Sequence, residues 1–150
     1  MYKCRPNEIF VYGSNEAGIH GAGAAYTARV DYGAMWGKED GLSGRSYGIP
    51  TKDKNLRVLT LPQIEFYVQQ FIQFAHDNPD KKFFITAIGT GLAGFKPSEI
   101  APMFQNLPDN CRTPPEWSEY VTYCLREQEL VEQVEEWSEY VTYCLHKQLS

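Results

Sequence analysis

The sequence predicts an α/β fold with a largely parallel central sheet and a C-terminal helical extension, and three observations predict it. A buried strand, a glycine loop and a helix follow one another twice, once from Ile9 and again from Lys82. Between the two units lies a segment with apolar residues on one helical face. After residue 112 the composition changes to an acidic segment with its own repeat.

Ile9 to Tyr12 is a short apolar run of strand formers that ends at Gly13-Ser14-Asn15, where glycine and asparagine permit a sharp turn. A loop through Gly18, Gly21 and Gly23 then leads into Ala24 to Arg29, small and helix-compatible residues that predict a helix. Glycine recurs too often between Gly33 and Gly48 for a helix, which predicts an irregular stretch before a second strand, Ser46 to Ile49, closed by Pro50. Thr60 and Gln63 have the spacing of a capping box, and Ile64, Val68, Phe71, Ile72 and Ala75 repeat along one face of the helix they open. Asn78 and Pro79 stop it. Lys82 to Ile88 is apolar on both faces, as in a central parallel strand, and ends at Gly89-Thr90-Gly91. Ser98 is placed to cap a helix through Ile100 and Phe104.

Thr113-Pro114-Pro115-Glu116 combines a capping threonine, an early proline and a glutamate three residues after the cap, so a long helix is expected from there. The ten residues Glu116 to Leu125, EWSEYVTYCL, return unchanged as Glu136 to Leu145. In one unbroken helix a shift of 20 residues turns the two copies to nearly opposite sides, at about 100° per residue. One copy then rests on the body, and the other leaves Trp137, Val141, Cys144 and Leu145 for solvent, a bend or a second molecule. The division expected is a body over 1–112 and a helical tail over 113–150, with a homo-oligomer through the tail as one outcome.

Composition narrows the function classes. With 150 residues, 43% of them hydrophobic, the chain supports one real core without staples. Cys4, Cys111, Cys124 and Cys144 form no C-x-x-C pair and have no histidine at zinc spacing, so no metal is implied. Nothing at the start reads as a signal segment and no apolar run reaches the roughly 20 residues that cross a bilayer, so a cytoplasmic protein without a membrane partner is expected. The net charge of −5 argues against general or sequence-specific nucleic-acid binding. That charge is concentrated in residues 116–150, with eight acids against two bases, so the body is close to neutral. A neutral body can still hold an anion through backbone amides.

The stretch IFVYGSNEAGIHGAGAA places Gly13, Ser14, Gly21, Ala22, Gly23 and Ala24 around a strand-to-helix turn. Its spacing fits an amide nest for phosphate and fits an unoccupied tight turn equally well. The dehydrogenase fingerprint fails, because the glycines come in the wrong order and no acid closes a second strand about 20 residues later. The second loop, Gly89, Thr90, Gly91, Leu92, Ala93, Gly94 and Phe95, also lets backbone approach a ligand. Two such loops at neighbouring strand ends point to a diphosphate-bearing ligand between them. His20 sits inside the first glycine loop, where it could donate a hydrogen bond, move a proton or simply pack. His76 and His146 lie at helix ends, where the dipole favours a cation. Tyr12, Tyr47 and Phe95 are core candidates first.

The ordered motifs GSN with its glycine loop, YGIPTKD from Tyr47 to Asp53, and IGTGLAGFKPSEIAPMF from Ile88 to Phe104 resemble those of macrodomains. The resemblance spans residues 8 to 106, and the same motifs are similar to those of small phage and bacterial proteins. It implies a three-layer sandwich that binds ADP-ribose or a related nucleotide. The nearest branch removes ADP-ribose from carboxylate side chains or DNA bases and carries motifs like PTK and GCGLGGL. By that resemblance Asn15 lies against the distal ribose, Thr51 and Lys52 belong to the PTK motif, and Lys52 attacks or polarises the anomeric carbon. Asn15, Lys52 and His20 are therefore the catalytic candidates, with no cofactor required. A lysine does such work only when its surroundings favour the free amine; otherwise Lys52, Asp53 and Lys54 are a solvated turn. Ala93 stands where one hydrolytic relative has an aspartate, and Met1 to Glu8 has no clear counterpart of the acid that reads adenine. Three function classes follow: an ADP-ribosyl hydrolase, a non-enzymatic nucleotide binder or sponge, and a structural protein assembling through its tail.

Overall fold

A computed structural model describes residues 2–19, 23–34 and 41–124. In these residues the order is β1 (Glu8–Asn15), α1 (Gly23–Tyr32), β2 (Gly41–Ser43), β3 (Ser46–Lys52), α2 (Leu61–Asp77), β4 (Lys82–Ile85), α3 (Pro97–Ile100) and β5 (Cys111–Arg112). The strands form one sheet in the order β2-β3-β1-β4-β5. All neighbours run parallel except β2 with β3. The expected α/β class with a mostly parallel sheet is therefore present.

Alternation along the strands divides the core between the two faces. Phe10, Tyr12 and Phe84 pack with Ala25 and Ala28 of α1. Val11, Ile49, Phe83 and Ile85 pack with Ile64, Val68, Phe71 and Ala75 of α2. The small residues of α1 let it lie close to the sheet, while α2 brings a full apolar stripe. Its capping box forms as the spacing predicts: the Gln63 amide donates to Thr60 Oγ1 at 3.4 Å and the Thr60 amide to Gln63 Oε1 at 2.9 Å. Tyr12 and Tyr47 are core residues. Phe95 is half-buried against the same core.

Several boundaries differ from the sequence expectations. The second strand does not stop before Pro50 but continues through it to Lys52. Its β2 neighbour has already ended at the Gly41–Gly48 pair, so the missing proline donor breaks no ladder bond on that side. The stretch expected to be irregular holds the β2–β3 hairpin, turned at Gly44 and Arg45. Gly44 has φ +60°, and a Cβ there would meet the Gly33 carbonyl oxygen at 2.6 Å. Residues 35–40 lie outside the described set. β4 ends at Ile85 rather than Ile88: Thr86 donates its amide and hydroxyl to the Val11 carbonyl at 3.0 and 2.8 Å, and the Ile88 amide turns back onto the Thr86 carbonyl at 2.8 Å. The helix assigned to Ser98 begins at Pro97 with Lys96 as cap, and after Ile100 it tightens into a 3-10 turn over Ala101–Met103.

The helix expected from Thr113 is reduced to a 3-10 turn, Pro115–Trp117, capped by Pro114. Beyond it the chain turns and runs extended to Cys124, where Tyr123 pairs with Leu107. The first copy of the repeat is thus no continuous helix, and the opposite-faces geometry does not apply to it. Trp117 is fully buried in the α2-side core, so the packed body extends past residue 112. The second copy, its four named residues, His146 and the rest of the tail lie outside the described residues.

The sheet is closed at its far end by an ion pair. Arg112 donates from Nε and Nη2 to the two carboxylate oxygens of Glu8, at 2.7 and 2.6 Å. The guanidinium also lies over the Tyr2 and Phe84 rings, each 5.1 Å from the centroid. Burial by itself would raise the Glu8 pKa, but the Arg112 bonds, the Arg5 amide and the Arg112 charge outweigh it. Together they hold the carboxyl below the ordinary glutamate range.

Candidate functional site

Chain order decides where a cleft opens. From central β1 the chain passes to β3 on one side, and after α2 it returns to β4 on the other. The loops leaving β1 and β4 therefore diverge at their carboxyl ends, the switch point at which open α/β sheets leave a crevice. A cleft of about 630 Å³ lies there, a size suited to a small organic ligand. Its walls are the end of β1, the start of α1, the end of β3 and the loop after β4.

The structure brings most of the expected ligand residues to this one cleft. Gly13, Ser14, Asn15, Gly23, Ala24, Thr51, Lys52, Gly89, Thr90, Gly91, Leu92 and Ala93 all line it. Gly94 and Phe95 do not. Their amides bond to the Gly91 and Gly89 carbonyls at 3.0 and 2.9 Å, which folds the loop back on itself behind the cleft. His20, Gly21 and Ala22 lie outside the described residues. Sequence reasoning missed Ile19, Leu56 and Thr86 on the lining. The Leu56 signal was weak in sequence, because a turn at Asp53 brings the residue back over the strand end: Asp53 Oδ1 accepts from the Asn55 and Arg57 amides at 2.8 and 2.9 Å. Leu56 itself sits at φ +61° within that turn.

Residues with backbone donors line the cleft on two sides. Among the described residues, the amides of Gly89, Gly91, Leu92 and Ala93 have no hydrogen-bond acceptor. Across from them α1 begins at Gly23, and the first amides of a helix have no partner within it. Gly23 and Leu92 approach closely enough that a Cβ on the glycine would lie 3.4 Å from Leu92 Cδ1. Unpaired amides and a helix start make a partially positive wall.

The side chains supply little else that is charged. Lys52 is the one charged side chain among the described lining residues. It closes β3 opposite Asn15, where a register shift lets its carbonyl accept the Glu16 amide at 2.8 Å. The neighbouring acids turn elsewhere: Asp53 holds its own turn, and Glu16 accepts from the Tyr67 hydroxyl at 2.7 Å. Lys52 has no ion pair among the described residues. The threonine hydroxyls are committed to backbone, Thr86 to Val11 and Thr90 to Ala87 at 2.8 and 2.7 Å. Asn15 is committed too, since its amide clamps both backbone groups of Ile19. It shapes the first loop rather than presenting a free amide.

Among the described residues no group of three or more His, Cys, Asp or Glu side chains is placed to hold a metal ion. No helix there is long and apolar enough to cross a membrane. His76 ends α2 as expected, and its Nε2 meets the Asn106 carbonyl at 2.8 Å; neither residue lines the cleft. Comparison with family models, curated proteins and solved structures finds no match to this chain.

Proposed function

We propose that the protein binds ADP-ribose or a related diphosphate-bearing nucleotide in the cleft between the loops after β1 and β4. The observation that carries this reading is that the amides of Gly89, Gly91, Leu92 and Ala93, without an acceptor among the described residues, and the start of α1 line one cleft, with Lys52 as its charged side chain. A diphosphate matches such a wall: the amides take the oxygens and the lysine offsets charge. The apolar side chains of Ile19, Leu56 and Leu92 suit the uncharged faces of ribose and base. The macrodomain resemblance of the three motifs names the ligand class, and the α/β order and the cleft position agree with it.

Binding takes precedence over turnover, because no carboxylate stands among the described lining residues to act as general acid or base. A hydrolytic role is favoured by one observation, the isolation of Lys52 beside the amide wall. In that role the free amine of Lys52 attacks the anomeric carbon as the glycosidic bond to the carboxylate or base breaks, and water then releases ADP-ribose from the lysine; or the charged amine stabilises the departing anion while water attacks. Calorimetry with ADP-ribose tests the binding, and release of ADP-ribose from modified protein or DNA tests the reaction. Binding with release that Lys52→Ala abolishes supports the hydrolase; binding without release leaves a reader or sponge. No binding of any diphosphate nucleotide overturns both.

A further inference from the structure

The docking of the first repeat copy defines a second recognition surface, whose residues do not line the cleft. Trp117 is fully buried with its ring 5.3 Å from that of Phe104, and Tyr120 and Val121 pack on the same core. The chain then runs along residues 104–107. The Leu107 amide donates to the Thr122 carbonyl at 3.0 Å, and the Cys124 amide to the Leu107 carbonyl at 2.7 Å. Thr122 Oγ1 donates to Gln105 Oε1 at 2.7 Å and accepts from the Asn106 amide at 3.0 Å. Gln105 Nε2 donates to the Tyr120 carbonyl at 2.6 Å. Each of these contacts joins a residue of EWSEYVTYCL to one outside it.

The same ten residues stand again at Glu136–Leu145, so they offer this groove the same ring, the same hydroxyl and the same backbone pattern. We propose that the groove is a docking site for residues 136–145 of the same chain, which compete for it with the first copy, seated there through residues 117–124. Two features favour the first copy. Thr113 Oγ1 meets the Tyr123 hydroxyl at 3.4 Å, whereas Gln133 stands at the same place before the second copy. Seating Trp137 instead of Trp117 also lengthens the span tethered at Arg112 from four residues to 24, which lowers the chance of closure about fifteenfold. The second register is therefore a minor state of the native protein, ready when the first copy is damaged or engaged elsewhere.

Denaturant unfolding of the full chain with Trp117→Ala, Trp137→Ala and both tests this. Removal of a buried tryptophan with no substitute lowers the folding equilibrium on the order of a hundredfold or more. The expected pattern is Trp137→Ala near wild type, Trp117→Ala down by about the fifteenfold closure factor, and the double variant down at least a further tenfold. Equal losses for Trp117→Ala and the double variant, whether large or small, overturn the proposal. Recovery of Trp117→Ala stability with rising protein concentration also overturns it, because the groove is then filled from another copy.

Discussion

The side-chain amide of Asn15 closes on the backbone of Ile19 at both ends: Nδ2 donates to the Ile19 carbonyl at 2.7 Å, and Oδ1 accepts the Ile19 amide at 2.9 Å. This clamp fixes the first loop at the point where it leaves β1, and both residues line the cleft. Asn15→Ala removes two hydrogen bonds from a buried side chain and is expected to lower stability by about 1–3 kcal/mol. It also lets the loop spread, so ADP-ribose affinity falls by tenfold or more. Asn15→Asp keeps the acceptor but turns a charged oxygen onto the Ile19 carbonyl and adds a negative charge at the cleft, so it is expected to bind more weakly than Asn15→Ala and to unfold at least as early. Calorimetry and thermal melts on the two variants check the order.

Gly89 and Gly91 look alike in sequence and differ in space. Gly89 has φ +77°, and a Cβ on it would lie 3.2 Å from the Ile100 side chain, so Gly89→Ala is expected to cost roughly 1–2 kcal/mol through backbone strain alone. A Cβ on Gly91 meets nothing within 4 Å, and its φ is not in the left-handed range. Gly91→Ala is therefore expected to hold stability within about 0.5 kcal/mol while lowering ADP-ribose affinity, since the added methyl stands where backbone approaches ligand. Equal affinity in Gly91→Ala and wild type would remove that loop from the binding surface.

The Glu8–Arg112 pair gives stability a defined pH dependence. Because the folded pKa of Glu8 lies below its unfolded value, the contribution is complete above about pH 4.3 and is lost as pH falls through the folded value. Glu8→Gln is expected to be less stable at pH 7 by roughly 2–3 kcal/mol, since it leaves the Arg112 charge without its partner. It should also show a flatter decline than wild type below pH 4.3. Urea midpoints from pH 7 to pH 2.5 measure both effects, and parallel curves for the two proteins would contradict the assignment.

The three cysteines of the described residues are all free thiols, and they differ in reach. Cys111 is buried in β5, and that burial, with a smaller push from Asp109, raises its pKa to about 12. Cys4 and Cys124 are partly exposed. Site-resolved alkylation at pH 8 is expected to modify Cys4 and Cys124 in the native protein and Cys111 only on unfolding.

How much of this was legible depends on the range of the forces involved. The stripe from Ile64 to Ala75 and the Thr60–Gln63 cap are local patterns, and both formed as read. The two glycine loops were also visible, because strand ends in a parallel sheet share an edge. Tertiary contacts hid the rest. Pro50 belongs to a strand because β2 ends early beside it, and the Thr113 cap yields to the pull of Trp117 into the core and of Tyr123 toward Leu107. Leu56 reaches the cleft only through the Asp53 turn, and the commitment of the Asn15 amide to Ile19 needs three-dimensional coordinates to see.

Amide proton shifts recorded while ADP-ribose is added report most directly on whether donors from both loops meet one diphosphate. The account predicts saturable downfield shifts at Gly91, Leu92 and Ala93 together with Gly23, Ala24 and Ala25, following one common affinity. Shifts confined to one of the two groups would contradict it.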